Sequence, residues 1–319
     1  MPDVIALGEI LVEIMRKEKD VPHYTSGVYL GPYPSGAPAI FIDAVARLGI
    51  SSGFIGVVGE DDFGKMLINR LRKDKVDIRY LRVLKGYTTG TAFVMYYSSG
   101  DRRFVFHLRH SAAGQLSPSD VDPDYIATAK FVHIMGSSLS VSDSSREACY
   151  KAAREAKKRG ITVTFDPNLR PELLDIKIIR KICAPVIALC DIIMPSEKEI
   201  QALTGKENLI EAGNDLLKRG VEMVVIKRGE KGSLVITENE VIYEPAYNVN
   251  EVDPTGAGDV FDGGFIVGLI KGWSIRQSLE FANAVGAIKV TNFGPMEGPK
   301  SIEEVIQFMK NTRKKKIKV

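Results

Sequence analysis

Cysteine is scarce: Cys149, Cys183 and Cys190 are the three in the chain. Their odd number excludes a closed disulfide framework, and their spacing matches neither a zinc nor a redox motif. They are expected as reduced core residues of a cytoplasmic protein. Histidine is scarce too, at four residues. No HExxH helix occurs, and His107 and His110 lack other ligand types beside them, so no structural zinc is expected. No run of about 18 apolar residues is present, which excludes a membrane-spanning helix. The N-terminal MPDVIALGEILVEIM has no basic start and is interrupted by Glu9 and Glu13, so it reads as a first strand and not as a signal peptide. Charge of one sign is also lacking. The net charge is +3, and much of the excess sits in RKKKIKV, residues 313–319. That tail is expected to be a disordered, solvated terminus, and elsewhere no basic stripe suggests nucleic acid.

Neither of two common nucleotide motifs is complete. A GxGxxG turn would need glycine at 261, where Phe261 stands. GEDDFGK (59–65) has the spacing of a P-loop, but Met66 replaces the Ser or Thr that would hold magnesium. Glu60, Asp61 and Asp62 would also repel phosphate there, so the segment reads as a turn followed by an N-capped helix.

What is present is the composition of a soluble globular protein with a large core, 45% hydrophobic and 26% charged. Short apolar runs recur at 4–8, 52–59, 131–136, 161–166, 191–196 and 223–229. Helical patterns lie between most of them; 144–160 and 208–220 end in Gly160 and Gly220, as helices often do. Helix followed by buried strand, repeated, predicts an α/β fold with a mostly parallel sheet. Residues 88–108 break the rhythm, with two β-rich runs around SSGD that predict a hairpin. Residues 10–30 also look extended. Without helices to cover them, 10–30 and 88–111 are expected to form a small β lid on a single domain spanning 1–319. The alternative is an edge extension of the main sheet.

The stretch DPTGAGDVFDGG (253–264) carries the chemistry. Gly256, Ala257 and Gly258 precede an apolar, helix-compatible run, so they mark a helix N-terminus whose N–H groups and dipole favour an anion. Asp259 follows one step into the helix. It either stabilises that N-terminus or accepts a proton from a hydroxyl attacking a phosphoryl group held by the loop.

This stretch resembles the C-terminal signature of the PfkB/ribokinase-like carbohydrate kinases, D-T-x-G-A-G-D. SGAPAIFIDAVARLG (35–49) and GVVGEDDFG (56–64) are similar to the family's N-terminal signature. FDPNLR (165–170), MPSEKE (194–199), VIKRGEKG (225–232) and FANAVGAIKVTNFG (281–294) continue in family order over nearly the whole chain. The resemblance implies a ribokinase-like fold with a β lid, dimerisation through that lid, and transfer of the ATP γ-phosphoryl group to a sugar hydroxyl. It makes Asp259 the catalytic base and Gly256, Ala257 and Gly258 the anion hole. It puts Ser196, Lys227, Gly229, Gly232, Gly256, Gly258 and Asn283 on ATP, Glu199 on Mg²⁺ through water, and Asp253 as a candidate ligand for K⁺ or another monovalent cation. Two family asparagines are replaced, one by Ile40 on the sugar side and one by Ser196 beside the metal.

For the acceptor, the resemblance implies Glu13, Gly36 and Asp259, with Arg109 and Arg170. Arg109 in HLRHSAAG and Arg170 in DPNLR resemble arginines of 2-keto-3-deoxygluconate kinases, and Arg170 is shared with fructokinases. Paired guanidiniums suit a carboxylate, which favours 2-keto-3-deoxygluconate as acceptor. Fructose, tagatose or another ketose is the alternative, favoured by Glu13. Structural readings of the arginines are a surface ion pair for Arg170 and lid-backbone contacts for Arg109. Tyr96, Tyr97 and His107 fall in the hairpin, lining the sugar pocket or facing lid core and solvent. Two other classes were weighed: a sugar-sensing protein of the same fold without catalysis, and a nicotinamide-dependent oxidoreductase, which lacks its glycine turn.

Overall fold

The computed structural model describes residues 1–99 and 102–316. Strand β1 (Val4–Leu7) leads to β2 (Leu11–Arg16), β3 (Tyr29–Ser35) and helix α1 (Ala37–Arg47). Next come β4 (Ser52–Gly59), α2 (Asp62–Lys73), β5 (Asp77–Leu84), β6 (Gly90–Tyr96) and β7 (Arg102–His107). A short α3 (Pro123–Ile126) precedes β8 (Phe131–Met135), α4 (Gly136–Val141), α5 (Asp143–Lys158) and β9 (Thr162–Asp166). Then follow α6 (Ile176–Ile187), β10 (Ile192–Ile193), α7 (Glu197–Thr204), α8 (Leu209–Leu217), β11 (Met223–Lys227), β12 (Ser233–Thr237) and β13 (Val241–Glu244). Helices α9 (Ala257–Ile270), α10 (Ile275–Val290) and α11 (Ile302–Asn311) close the fold.

Each apolar run read as a buried strand is one. The main sheet runs β13-β12-β11-β10-β9-β8-β1-β4-β5. Its strands are parallel from β11 to β5, and β12 and β13 add an antiparallel edge. These strands are apolar without alternation because both faces are covered: Val4 and Ala6 of β1 enter one core layer, Ile5 and Leu7 the other. Cys149, Cys183 and Cys190 are unpaired and buried. No helix is long and apolar enough to cross a membrane among the described residues.

The lid is a separate sheet, ordered β3-β2-β6-β7. Its outer pairs are antiparallel, but β2 and β6 run parallel, so the sheet is mixed. The predicted hairpin is β6–β7, with Tyr96 opposite Arg102; Gly100 and Asp101 lie outside the described residues. Within 10–30 only the two ends are strand, and the second continues to Ser35. The P-loop look-alike is the expected capped helix: the Asp61 carboxylate accepts from the Gly64 N–H at 2.8 Å and starts α2.

The basic tail departs from expectation in its described part, 313–316. Asn248 N–H donates to the Arg313 carbonyl at 2.9 Å and Lys315 N–H to the Ala246 carbonyl at 2.7 Å. Lys314 pairs with Glu244 and Glu280, and Lys315 with Glu230. Acidic partners distant in sequence hold this segment against the strand that leaves β13. Residues 317–319 lie outside the described residues.

Candidate active site

Parallel strands aim their carboxyl ends at one edge of a sheet, where α/β folds place ligands. Here β9 ends in Asp166 and β11 in Lys227. Between that edge and the lid lies a cleft of about 360 Å³, lined by Glu9, Glu13, Gly36, Ile40, Arg102, Phe104, Phe106, Asp166, Asn168, Arg170, Ser196, Glu199 and Asp259. A second cavity of about 350 Å³ lies beyond it, with apolar walls from Ala246, Tyr247, Val249, Phe261, Ala287 and Val290. Lys227, Gly229, Pro254 and Gly258 line both. The two spaces therefore meet at the 254–258 loop.

That loop has its shape because of Gly256, the cap of α9, which sits at φ 80°. A Cβ there would meet the Pro295 carbonyl at 2.4 Å and Ile40 at 3.2 Å, so only glycine fits. Ile40, in place of the family asparagine, thus packs under the loop. The Ala257 N–H is turned to the Pro254 carbonyl at 3.2 Å. Gly256 and Gly258 are consequently the better-placed anion donors of the expected trio. Lid residue Tyr96 reaches the loop, hydrogen-bonding the Thr255 hydroxyl and donating to Asp253 Oδ1 at 3.3 Å.

Asp259 is buried in the first turn of α9. Its Oδ1 accepts from Asn168 Nδ2 at 3.2 Å. Burial, then the neighbouring Asp166 carboxylate, push its pKa up to about 7, against the pull of Lys227 and Arg170. Behind it the Lys227 ammonium bridges Asp166 at 2.9 Å and Asp262 at 2.8 Å. Burial would depress the Lys227 pKa, but Asp166 and Asp262 outweigh it and hold it above the usual lysine value. Burial raises Asp262 well above the carboxylate range. Asp166 stays below its usual value despite its burial, because Lys227 outweighs it.

The acceptor side is acidic. Glu13 is 3% exposed; its Oε2 accepts from Ser35 at 2.9 Å, and its buried Oε1 has no protein partner. Burial raises its pKa to about 7, moderated by the Ser35 hydrogen bond. Glu9, also buried, accepts from the Ser138 hydroxyl at 2.6 Å and is likewise raised by burial. Gly36 caps α1 at φ 109°, where a Cβ would strike the Glu9 carbonyl at 2.6 Å. Arg170 is in place, with its guanidinium 5.9 Å from the Phe104 ring centre. Arg109 is a correction: it is exposed and outside the cleft. Buried Leu108 and Ala113 anchor the turn on either side of it in a small apolar cluster and leave its side chain outward. The second arginine lining the cleft is Arg102, 5.8 Å from the same Phe104 ring centre. His107 lies away from the cleft, beside Ile14 and Asp61.

On the nucleotide side, Asn283 donates to the Glu244 and Pro245 carbonyls at 3.2 and 3.3 Å and lines the second cavity with Gly229 and Gly232. Ser196 caps α7 in a box with Glu199, accepting from the Glu199 N–H while Glu199 Oε2 accepts from the Ser196 N–H at 2.8 Å. Glu199 Oε1 accepts from the Leu169 N–H at 2.9 Å. Asp166 and Asn168 line the same cleft, and oxygen groups suit Mg²⁺ held through water, but among the described residues no three His, Cys, Asp or Glu side chains converge as a metal centre. Asp253, expected as a candidate ligand of a monovalent cation, is engaged by protein donors. Its Oδ1 accepts from the Thr255 N–H and its Oδ2 from the Gly294 N–H, both at 2.9 Å, and the Lys289 ammonium stands 3.5 Å away.

Sequence reasoning missed Glu9, Arg102, Asp166 and Asn168 as cleft residues. Asp166 carried a usable signal, a charge at the carboxyl end of a buried strand.

Comparison with known proteins adds four findings. A model of the pfkB family carbohydrate kinases matches residues 1–302. Probable fructokinase-2 of Arabidopsis thaliana is 34% identical over 316 residues, covering 96% of this chain and 95% of that protein. The 2-dehydro-3-deoxygluconokinase of Thermoproteus tenax is 32% identical over 316 residues, covering 97% and 95%. Among solved structures, a putative ribokinase II from E. coli in complex with ATP and Mg²⁺ superposes with a TM-score of 0.91 at 44% identity, covering 97% of this chain and 99% of that one.

Proposed function

Because this chain belongs to the pfkB family of carbohydrate kinases and is a sugar kinase, we propose that it transfers the γ-phosphoryl group of ATP to a primary hydroxyl of a ketose, with fructose as the favoured acceptor. The observation that carries this is the meeting of two cavities at one loop that holds both an anion site and a carboxylate base. Adenine lies between the apolar walls of the second cavity, with Gly229, Gly232 and Asn283 around the nucleotide. The γ-phosphoryl group lies at the N-terminus of α9, where the Gly256 and Gly258 N–H groups receive charge as it moves to the transferred oxygens. Lys227, beneath Gly258, adds positive charge to that point. Glu199, with Asp166 in the same cleft, would hold Mg²⁺ through water, and the ion would supply neutralisation of phosphate charge.

The acceptor lies in the first cleft with a hydroxyl against Asp259. Asp259 takes the hydroxyl proton as the oxygen attacks phosphorus. The unpartnered Oε1 of Glu13 accepts from a second sugar hydroxyl, which fixes the first in line. A neutral polyol suits this wall: two carboxyl groups, Glu9 and Glu13, line it and would repel an acid. The fructokinase relative supports the same reading. One observation favours 2-keto-3-deoxygluconate instead, namely that the Arg102 and Arg170 guanidiniums both line the cleft near the Phe104 ring. Measuring ADP release across fructose, tagatose, ribose and 2-keto-3-deoxygluconate separates the two. Fructose is expected to give the highest kcat/KM; preference for the acid reverses the assignment.

The raised carboxyls predict a pH profile. Asp259 must be ionised to act as a base, so kcat/KM falls as pH drops below about 7. Glu13 titrates near the same pH and steepens that limb toward two protons. Folding stability runs the other way. Both groups bind protons more tightly folded than unfolded, so stability is highest below their unfolded pKa values and declines as pH rises to about 7. Rate and melting temperature measured from pH 5 to 9 should therefore move in opposite directions across the acid limb.

A further inference from the structure

Lys289 is the most deeply buried lysine among the described residues, with no exposed surface, and none of the chemistry above uses it. It sits in the last turn of α10, where the free carbonyls of a helix end favour a cation. Its Nζ donates to the Asp253 carbonyl at 2.9 Å and to the Asn292 carbonyl at 3.2 Å, with Asp253 Oδ2 at 3.5 Å. Three oxygens for three N–H donors is the full complement of an ammonium ion. A neutral amine would turn a lone pair toward one of those oxygens, so the protonated form fits and the neutral form does not. The contacts matter because of what Asp253 holds in turn. It accepts from the Thr255 N–H at one end of the anion loop and from the Gly294 N–H, next to the Pro295 carbonyl that packs on Gly256.

Backbone carbonyls and a carboxylate converging on one point are also what a monovalent metal cation would need. Here the ammonium fills that point, and the single Asp253 carboxylate is already matched by one positive charge. A second cation would meet like charge at a point whose oxygens are already taken. We propose that the Lys289 ammonium is a built-in monovalent cation that positions the 253–258 loop, so that this kinase needs no potassium. Lys289 is a positioning residue. It touches neither cavity and acts through Asp253. The role it plays in catalysis rests on the reading of 256–258 as the anion hole, whereas the filling of the cation point does not.

The test uses the full-length protein and two readouts. For the wild type, kcat/KM with MgATP and fructose, and separately the melting temperature without substrates, are measured in potassium, ammonium and choline chlorides at equal ionic strength. Both are expected to be the same in all three salts. Lys289→Ala empties the point while leaving its oxygens. In choline it should lose about 10²-fold in kcat/KM, the scale of a misplaced catalytic loop. Potassium or ammonium, unlike choline, should restore a large part of that activity and raise the melting temperature of the variant. A merely structural lysine would give no cation-selective rescue. A wild type that potassium activates or stabilises well beyond choline overturns the proposal, and this arm decides even where the variant does not fold. A variant blind to cations in both readouts overturns it as well. Cation-dependent melting of Lys289→Ala without any cation-dependent turnover keeps the filled point and rejects the anion-hole reading on which its catalytic role rests.

Discussion

Asp259→Asn lowers turnover by about 10²–10⁴-fold, the usual weight of a general base, and leaves nucleotide binding near the wild-type level. The carboxylate belongs to the third residue of α9, past the N–H groups assigned to phosphate, so its loss should not unmake the anion site. The change is nearly isosteric, and Asn168 Nδ2 can bond the new amide oxygen as it bonds Oδ1 now. A second effect separates lost chemistry from lost structure. Asp259 is buried beside Asp166, and its pKa of about 7 records the cost of ionising it there. A neutral amide removes that cost, so Asp259→Asn should melt at a higher temperature than the wild type at pH 8, with the difference shrinking as pH falls toward the ordinary carboxyl value of 3.8. Calorimetry of ATP-analogue binding, ADP release and thermal unfolding together check the claim. Unchanged turnover sinks the base assignment; loss of turnover with loss of nucleotide binding and a lower melting temperature makes Asp259 structural.

Lys227→Met should be the most destabilising change at the site, by about 3–5 kcal/mol, because it strips the shared counter-charge from a buried pair of aspartates. The ammonium lies within 3 Å of both Asp166 and Asp262, whose side chains are 2% and 0% exposed. Methionine fills much the same volume, so the loss reports charge and not a cavity. Adding Asp262→Asn to Lys227→Met should recover part of the loss, since one uncompensated acid is removed. Urea unfolding of the three proteins measures this, and a Lys227→Met variant as stable as the wild type contradicts the triad. The same variant shifts the kinetics. Lys227 now draws the Asp259 pKa down, so without it the acid limb of kcat/KM moves to higher pH.

The main sheet was legible because parallel strands buried on both faces are written as unbroken apolar runs. The anion loop was legible because it is local: Gly256 through Asp259 are consecutive, and their roles depend on the start of one helix. The acceptor wall was not. Arg102 lies two residues from the tip of a hairpin and reads as turn polarity, while Arg109, in a more suggestive sequence context, is turned outward by its buried neighbours Leu108 and Ala113. Glu9 and Glu13 stood out in the sequence only as interruptions of an apolar segment. Their burial opposite the sheet edge comes from the lid strand crossing over it, a long-range fact. The tail failed for the same reason: Lys314 and Lys315 find Glu244, Glu280 and Glu230 from 34 to 85 positions away. Lys289 carries no mark in the sequence, because its setting among the oxygens of Asp253 and Asn292 rests on a contact with Asp253 across 36 positions.

The most direct test of the central claim is phosphorus NMR of a reaction holding the purified protein, MgATP and fructose. Transfer through the 254–259 loop to a hydroxyl aligned by Glu13 predicts ADP and one phosphate monoester coupled to the protons of a primary carbon, in equal amounts, with no inorganic phosphate. ADP accompanied only by inorganic phosphate, or a monoester formed from 2-keto-3-deoxygluconate but not from fructose, contradicts it.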